Sequence, residues 1–193
     1  MSSSATPLKL YLAGPEVFLP DARAILDAKA ALTRTYGFEP ICPGDLVIPP
    51  APTKHQFGLN ISEVDEGFMN AADGVIANLT PFRGIAADPG TVFELGYMCG
   101  AGKRVACYTN VAASHYDRSV GFYNGKVHIA DDGRKRAPDG TMLEDFEMIE
   151  NLMLHGGVTR RGGPVAVHDA APDRLWTDLT GFEQCLKALA EGK

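Results

Sequence analysis

The chain has 193 residues, enough for one domain with a proper core, and its 45% hydrophobic and 22% charged residues are an ordinary soluble composition. A net charge of -6 argues against a nucleic-acid partner. Met1–Pro7 is Ser-rich and lacks the apolar core of a signal peptide, and apolar runs such as Val75–Ala77 are far too short to span a membrane, so no membrane partner and a cytoplasmic location are expected. A single domain over 1–193 is expected, with 1–7 disordered and 155–193 forming a C-terminal extension packed on the domain.

In chain order, Lys9–Ala13 is a short β-type run broken by Gly14-Pro15. Pro20-Asp21 opens a helix whose apolar positions Ile25, Ala28, Leu32 and Tyr36 keep a helical period, and Gly37 closes it. Phe38–Cys42 reads as a second strand, and the proline-rich stretch 43–58 as an irregular loop. Asn60–Ala72 is helical by pattern, with Ile61, Val64, Phe68 and Ala71 on one face; Gly74–Leu79 is the third strand. Asp88-Pro89 reads as a helix cap followed by proline at the first helical position, opening a helix to about Gly100. Lys103–Tyr108 is a fourth strand. Residues 110–141 are polar and Gly-rich, with a hairpin around 126–136. The spacing predicts a helix over Leu143–Leu154, a loop over 156–163, a fifth strand at Val165–Val167 and a terminal helix over Pro172–Ala190. Strands alternating with helices argue for a parallel sheet covered on both faces. The simplest fold is a flavodoxin-like three-layer α/β sandwich with a mostly parallel sheet of about five strands.

The four cysteines, Cys42, Cys99, Cys107 and Cys185, form no CxxC pair and lie in apolar segments, which reads as buried reduced thiols. The five histidines show no HxxxH or HExxH spacing, so no metal site is expected. Gly14 invites comparison with phosphate loops, but no GxGxxG or Walker pattern accompanies it, so no nucleotide cofactor is expected.

Two carboxylates stand out. Asp65 has Ile61, Val64 and Phe68 at i-4, i-1 and i+3, which puts it on or beside the inward face of its helix. It is either a boundary carboxylate or a proton donor whose pKa burial raises toward neutrality. Glu94 has no cation one turn away and sits in a largely apolar helix. The helix dipole is expected to hold it ionised, as a nucleophile requires. Asp88 is the helix cap, and capping is compatible with ligand binding if each oxygen does one job. Tyr11 is a core aromatic or a site residue. Two carboxylates with opposite protonation demands are the minimum equipment of retaining glycosyl transfer, and their placement after neighbouring strands makes convergence feasible.

These pieces resemble the nucleoside 2-deoxyribosyltransferase family. The matching elements are Tyr11-Leu12-Ala13-Gly14-Pro15, Asp65 eight residues before Asp73, the segment from Asp88 to Glu94-Leu95-Gly96-Tyr97, and Asn151-Leu152-Met153. The resemblance implies an enzyme that moves a 2-deoxyribosyl group between nucleobases through a covalent glutamyl-sugar ester, with retention and no cofactor. Glu94 would attack C1′, Asp65 would protonate the departing base, Asp88 would hold a deoxyribose hydroxyl and Tyr11 would orient Glu94. Asn151, supplied by a neighbouring subunit, would reach the 5′-hydroxyl, so a homodimer or larger homo-oligomer with a shared site is implied. Gly14 is a further candidate substrate-binding residue. Phe18 and Phe82 are candidates for base stacking, with core packing as the alternative. The partners would be 2′-deoxynucleosides and free nucleobases, as in purine salvage. Two rivals remain: a 2′-deoxynucleoside 5′-monophosphate N-glycosidase, for which Ser114 and Ser119 could bind phosphate, and a non-catalytic nucleotide-sensing domain.

Overall fold

Five parallel strands carry the site in the computed structural model, which describes residues 6–45 and 47–192. The disorder expected for 1–7 therefore falls, for residues 1–5, outside the described residues, as does Leu46 of the proline-rich loop. In chain order the elements are β1 (Lys9–Ala13), α1 (Ala22–Thr35), β2 (Glu39–Ile41), α2 (Lys54–Ala71), β3 (Gly74–Asn78), α3 (Pro89–Gly100), β4 (Arg104–Thr109) and α4 (His115–Phe122). They are followed by β5 (His128–Ile129), β6 (Lys135–Arg136), α5 (Leu152–Thr159), β7 (Val165–Val167) and α6 (Thr180–Glu191). The main sheet runs β2-β1-β3-β4-β7 with every pair parallel, and β5 and β6 form a separate antiparallel hairpin. The strand order reverses between β1 and β3, so the loops leaving their carboxyl ends diverge and leave a crevice there, the position where such sheets bind ligands.

Alternation along the strands decides which side chains reach which layer. Leu10 and Leu12 of β1 join Ile76, Ala106 and Tyr108 against α1 and α6, where Ala30, Phe182 and Leu186 are buried. Tyr11 and Ala13 face the other way, with Val75, Ala77 and Cys107, against Met69 of α2, Leu95 and Met98 of α3 and Val158 of α5. Residues 155–192 are part of this framework: β7 pairs with β4, and α6 supplies Phe182, Cys185 and Leu186 to the core. Cys42, Cys107 and Cys185 are buried and Cys99 partly so, all four as free thiols. No helix among the described residues is long and apolar enough to cross a membrane.

Several helix boundaries differ from expectation. In α1 the buried positions are Ile25, Leu26, Lys29, Ala30 and Thr33, while Ala28 is exposed, so the inward stripe is rotated from the one the apolar residues suggest. The rotation follows from a buried lysine that an apolar pattern does not count. α2 starts at Lys54, within the stretch expected as loop, because the Thr53 hydroxyl accepts the Gln56 N–H at 3.1 Å and caps it. α4 was not anticipated; Ser114 and Asp117 form its capping box. The helix expected over 143–154 is instead α5, which runs on through Gly156 and Gly157 to Thr159. Glu147 adopts a left-handed φ of 55°, which a helix cannot contain, and Asn151 caps the new start by accepting the Met153 N–H at 3.0 Å. The terminal helix is likewise divided: a 3-10 turn at Pro172–Arg174, then α6 from Thr180, whose N–H is accepted by Asp178 at 3.0 Å.

Candidate active site

Tyr11 is the third residue of β1 and its alternation aims it into the layer of α2 and α3. The ring is fully buried, and its hydroxyl emerges between two carboxylates. It lies 2.8 Å from Glu94 Oε1 on α3 and 3.2 Å from Asp65 Oδ1 on α2. The sheet thus brings together three residues that the sequence placed on separate elements. Asp65 and Glu94 also line one cleft of about 220 Å³, with Ile61, Ser62, Met69 and Phe93. The two largest described cavities, of about 340 and 350 Å³, are lined by no carboxylate, and one of about 250 Å³ by the single carboxylate of Asp21.

A tyrosine hydroxyl has one proton to donate. If both carboxylates were ionised, only one could receive it, and the other would face an oxygen lone pair. The three groups are all bonded when one carboxyl is protonated and donates to the tyrosine while the tyrosine donates to the other. The electrostatics agree. Burial pushes Glu94 up to about 7; the Tyr11 bond opposes this, and the negative charges of Asp65, Asp88 and Glu16 add to it. Burial also raises Asp65, again opposed by the Tyr11 bond. Burial and the two carboxylates raise Tyr11 far above the ordinary phenol value, so it stays protonated. The helix dipole does not hold Glu94 ionised as expected. Glu94 is the sixth residue of α3, beyond the first turn where the dipole acts, and desolvation dominates.

Asp88 caps α3. Its Oδ2 accepts the Thr91 N–H at 3.0 Å and the Thr91 hydroxyl at 3.2 Å, and among the described residues Oδ1 has no bond. Gly14 has a packing reason. Its backbone is extended, at φ 166°, which any residue can adopt, but a Cβ there would stand 1.9 Å from Glu16 Oε2 and 3.1 Å from Asn78 Cβ. Phe18 is 55% exposed and stacks on Phe82 with ring centres 5.6 Å apart, so the two rings bridge the loops after β1 and β3 rather than filling the core. Arg83 lies over both rings and Trp176 meets Phe82 edge-on.

Asn151 does not join this group within the chain. Its Oδ1 caps α5, and its Nδ2 donates to Glu144 at 2.9 and 3.1 Å. The serines considered for phosphate are engaged: Ser114 Oγ donates to Asp117 at 2.7 Å, and Ser119 Oγ donates to the His115 carbonyl at 2.8 Å.

Beneath the crevice lies a buried charged cluster that sequence reasoning missed. Lys29 Nζ, fully buried, donates to Glu16 Oε1 at 2.7 Å, as do Asn78 Nδ2 at 3.0 Å and the Tyr108 hydroxyl at 3.2 Å. Burial opposes the Glu16 charge most strongly, but Lys29 and the Asn78 and backbone hydrogen bonds together hold the carboxyl below its usual range. The available signal was Lys29 at i+4 from Ile25 and i+3 from Leu26, a cation on the inward stripe of α1. A second missed group, Glu150 with Arg118, is buried beside the Asp88 loop.

Comparisons with known proteins bear on the family and the fold. The family model described as Nucleoside 2-deoxyribosyltransferase matches residues 10–153. An uncharacterized protein of Schizosaccharomyces pombe is 31% identical over 174 residues, covering 82% of this chain and 80% of that protein. A 2-desoxiribosyltransferase from Leishmania mexicana superposes with a TM-score of 0.66 at 29% identity, covering 96% of this chain and 98% of the other. A conserved protein from Enterococcus faecalis V583 shares the fold at 16% identity and a TM-score of 0.55, covering 94% of this chain and 98% of its own. The family-model match, which spans most of the chain, shows that it belongs to the nucleoside 2-deoxyribosyltransferase family.

Proposed function

We propose that this protein transfers a 2-deoxyribosyl group between nucleobases through a covalent ester on Glu94, with retention of configuration. The observation that carries the reading is the single Tyr11 hydroxyl placed between Glu94 and Asp65. It keeps their nearest oxygens within about 6 Å, close to the separation of roughly 5–5.5 Å found in retaining glycosidases. A buried carboxyl pair that favours one proton supplies both roles the reaction needs, a nucleophile and an acid.

In the first step a Glu94 oxygen attacks C1′ and the C1′–N bond breaks. Its electron pair goes to the base, which takes a proton from Asp65. In the second step the nitrogen of another base attacks C1′ and returns its proton to Asp65, and the ester C1′–O bond breaks to restore the Glu94 carboxylate. Asp88 holds a sugar hydroxyl with Oδ1 while Oδ2 caps α3, and Phe18 stacks on the base in the crevice beside Gly14. Asn151 reaches the 5′-hydroxyl in the site of a neighbouring subunit, so the working unit is a homodimer or a larger homo-oligomer. The whole chain acts as one domain, without metal or cofactor. The 5′-monophosphate hydrolase reading gains no support from Ser114 and Ser119, whose hydroxyls already serve α4.

Incubation with 2′-deoxyinosine and adenine, read by chromatography, is expected to yield 2′-deoxyadenosine and hypoxanthine. Without an acceptor base, mass spectrometry is expected to find a sugar-sized adduct on Glu94, absent in Glu94→Ala. Free sugar or sugar phosphate with no exchanged nucleoside would refute the transferase.

A further inference from the structure

Glu150 has no part in that scheme, yet its side chain is 1% exposed in an irregular stretch, a costly place for a charge. Its two oxygens reach different segments. Oε1 accepts the Ala87 backbone N–H at 3.0 Å and Arg118 Nη2 at 2.7 Å. Oε2 accepts the Asn151 backbone N–H at 3.1 Å and faces His115 Nδ1 at 3.5 Å. Ala87 is the residue before Asp88. The Arg118 guanidinium, 8% exposed, donates from Nε to the Ile85 carbonyl at 2.7 Å, which pins the same loop two residues upstream, and from Nη1 to the Ala113 carbonyl before α4 at 2.7 Å.

We infer that Glu150, clamped by Arg118, is a positioning residue whose one buried carboxylate ties the entrance of the Asp88 helix to the Asn151 turn. The inference rests on the proposed reading of Asp88 and Asn151 as sugar-holding side chains. A single strut then sets both. Because Asn151 serves the neighbouring subunit in that reading, the strut links each protomer's own site to the one it completes.

Glu150→Gln separates the two anchors. A carboxamide has one acceptor oxygen and one donor nitrogen. Arg118 only donates, so it fixes the amide oxygen at the Oε1 position, and the amide nitrogen then confronts the Asn151 N–H. In the full-length variant, hydrogen–deuterium exchange at the Asn151 amide is expected to accelerate roughly tenfold or more, as loss of a charged acceptor implies. The Ala87 amide is expected to stay within about twofold of wild type, since its local opening is unchanged. The KM for the deoxynucleoside is expected to rise severalfold, with the acid limb of the pH–rate profile unmoved. Glu150→Asp gives a second measurement: it keeps the charge on Arg118, but the shorter carboxylate cannot span both segments, so one of the two amides loses protection. Wild-type exchange at both amides in both variants would overturn the strut, as would equal acceleration of these amides and those of the central strands. Unchanged KM and kcat in an active Glu150→Gln enzyme would overturn the positioning role. A wild-type protein that exchanges no bases would refute the proposed function instead, and the amide pattern, which needs no turnover, would still judge the strut.

Discussion

Tyr11→Phe removes one oxygen and tests the centre of the proposed site. The hydroxyl donates to Glu94 at 2.8 Å and opposes the burial that lifts this carboxyl to about 7. A hydrogen bond to a charged acceptor contributes about 1.5–3 kcal/mol, and about 1.4 kcal/mol corresponds to one pH unit, so its loss moves the Glu94 titration upward by about one to two pH units. At pH 7 the ionised fraction of Glu94 then falls from about a half to between about a tenth and a hundredth. Only the ionised form attacks C1′. The single-turnover release of hypoxanthine from 2′-deoxyinosine, followed by rapid quench and chromatography, is therefore expected to slow about five- to fifty-fold at pH 7. At pH 9 the two enzymes are expected to agree within about twofold, because at least about half of Glu94 is then ionised in both. The ring stays buried in the same pocket, so the variant is expected to keep its circular dichroism. A loss of equal size at pH 7 and pH 9, or an acid limb that does not move, would refute the electrostatic role of the hydroxyl.

Two further predictions concern stability. The folded-state value of Glu94, about 7, lies above its ordinary 4.5, so folding favours the neutral carboxyl; its stabilising contribution is present below the ordinary value and is lost as pH rises through about 7. Glu94→Gln abolishes that loss. In urea denaturation it is expected to be more stable than wild type by about 3 kcal/mol at pH 8–9 and similar to it near pH 4; equal stability across the range would contradict the burial argument. Gly14→Ala places a Cβ against the Glu16 carboxylate, which Lys29 holds in place and Asn78 backs. It is expected to destabilise the protein by about 1–3 kcal/mol, read as a lower denaturation midpoint; a change below about 0.5 kcal/mol would show that the carboxylate can move aside.

Local chemistry was legible in the residues themselves. The capped start of α3 at Asp88-Pro89, the five strand segments and the alternation that makes a parallel sheet all follow from neighbours within a few positions. So do the two odd acids, each conspicuous against the apolar residues of its own helix. Where sequence reasoning went astray, the deciding contact was again local but of a kind that hydrophobic period does not weigh. Examples are a threonine cap at Thr53, a left-handed turn at Glu147 and a lysine among the inward positions of α1.

What the chain alone could not decide is which of these residues meet. Tyr11 lies 54 residues from Asp65 and 83 from Glu94, and their contact depends on β3 crossing to the far side of β1 while α2 and α3 pack on one face. The protonation of Glu94 is likewise a tertiary property. Its place on the helix suggested an ionised group, but burial against Tyr11 and beside other acids outweighs a dipole already fading at the sixth residue. Lys29 could be seen as a cation on the inward stripe of α1, but its partner Glu16 and the Glu150 strut could not be read, for the same reason. Helical period can place one member of a buried ion pair on an inward face, but it does not name the partner, which is set by the packing of layers and not by spacing along the chain.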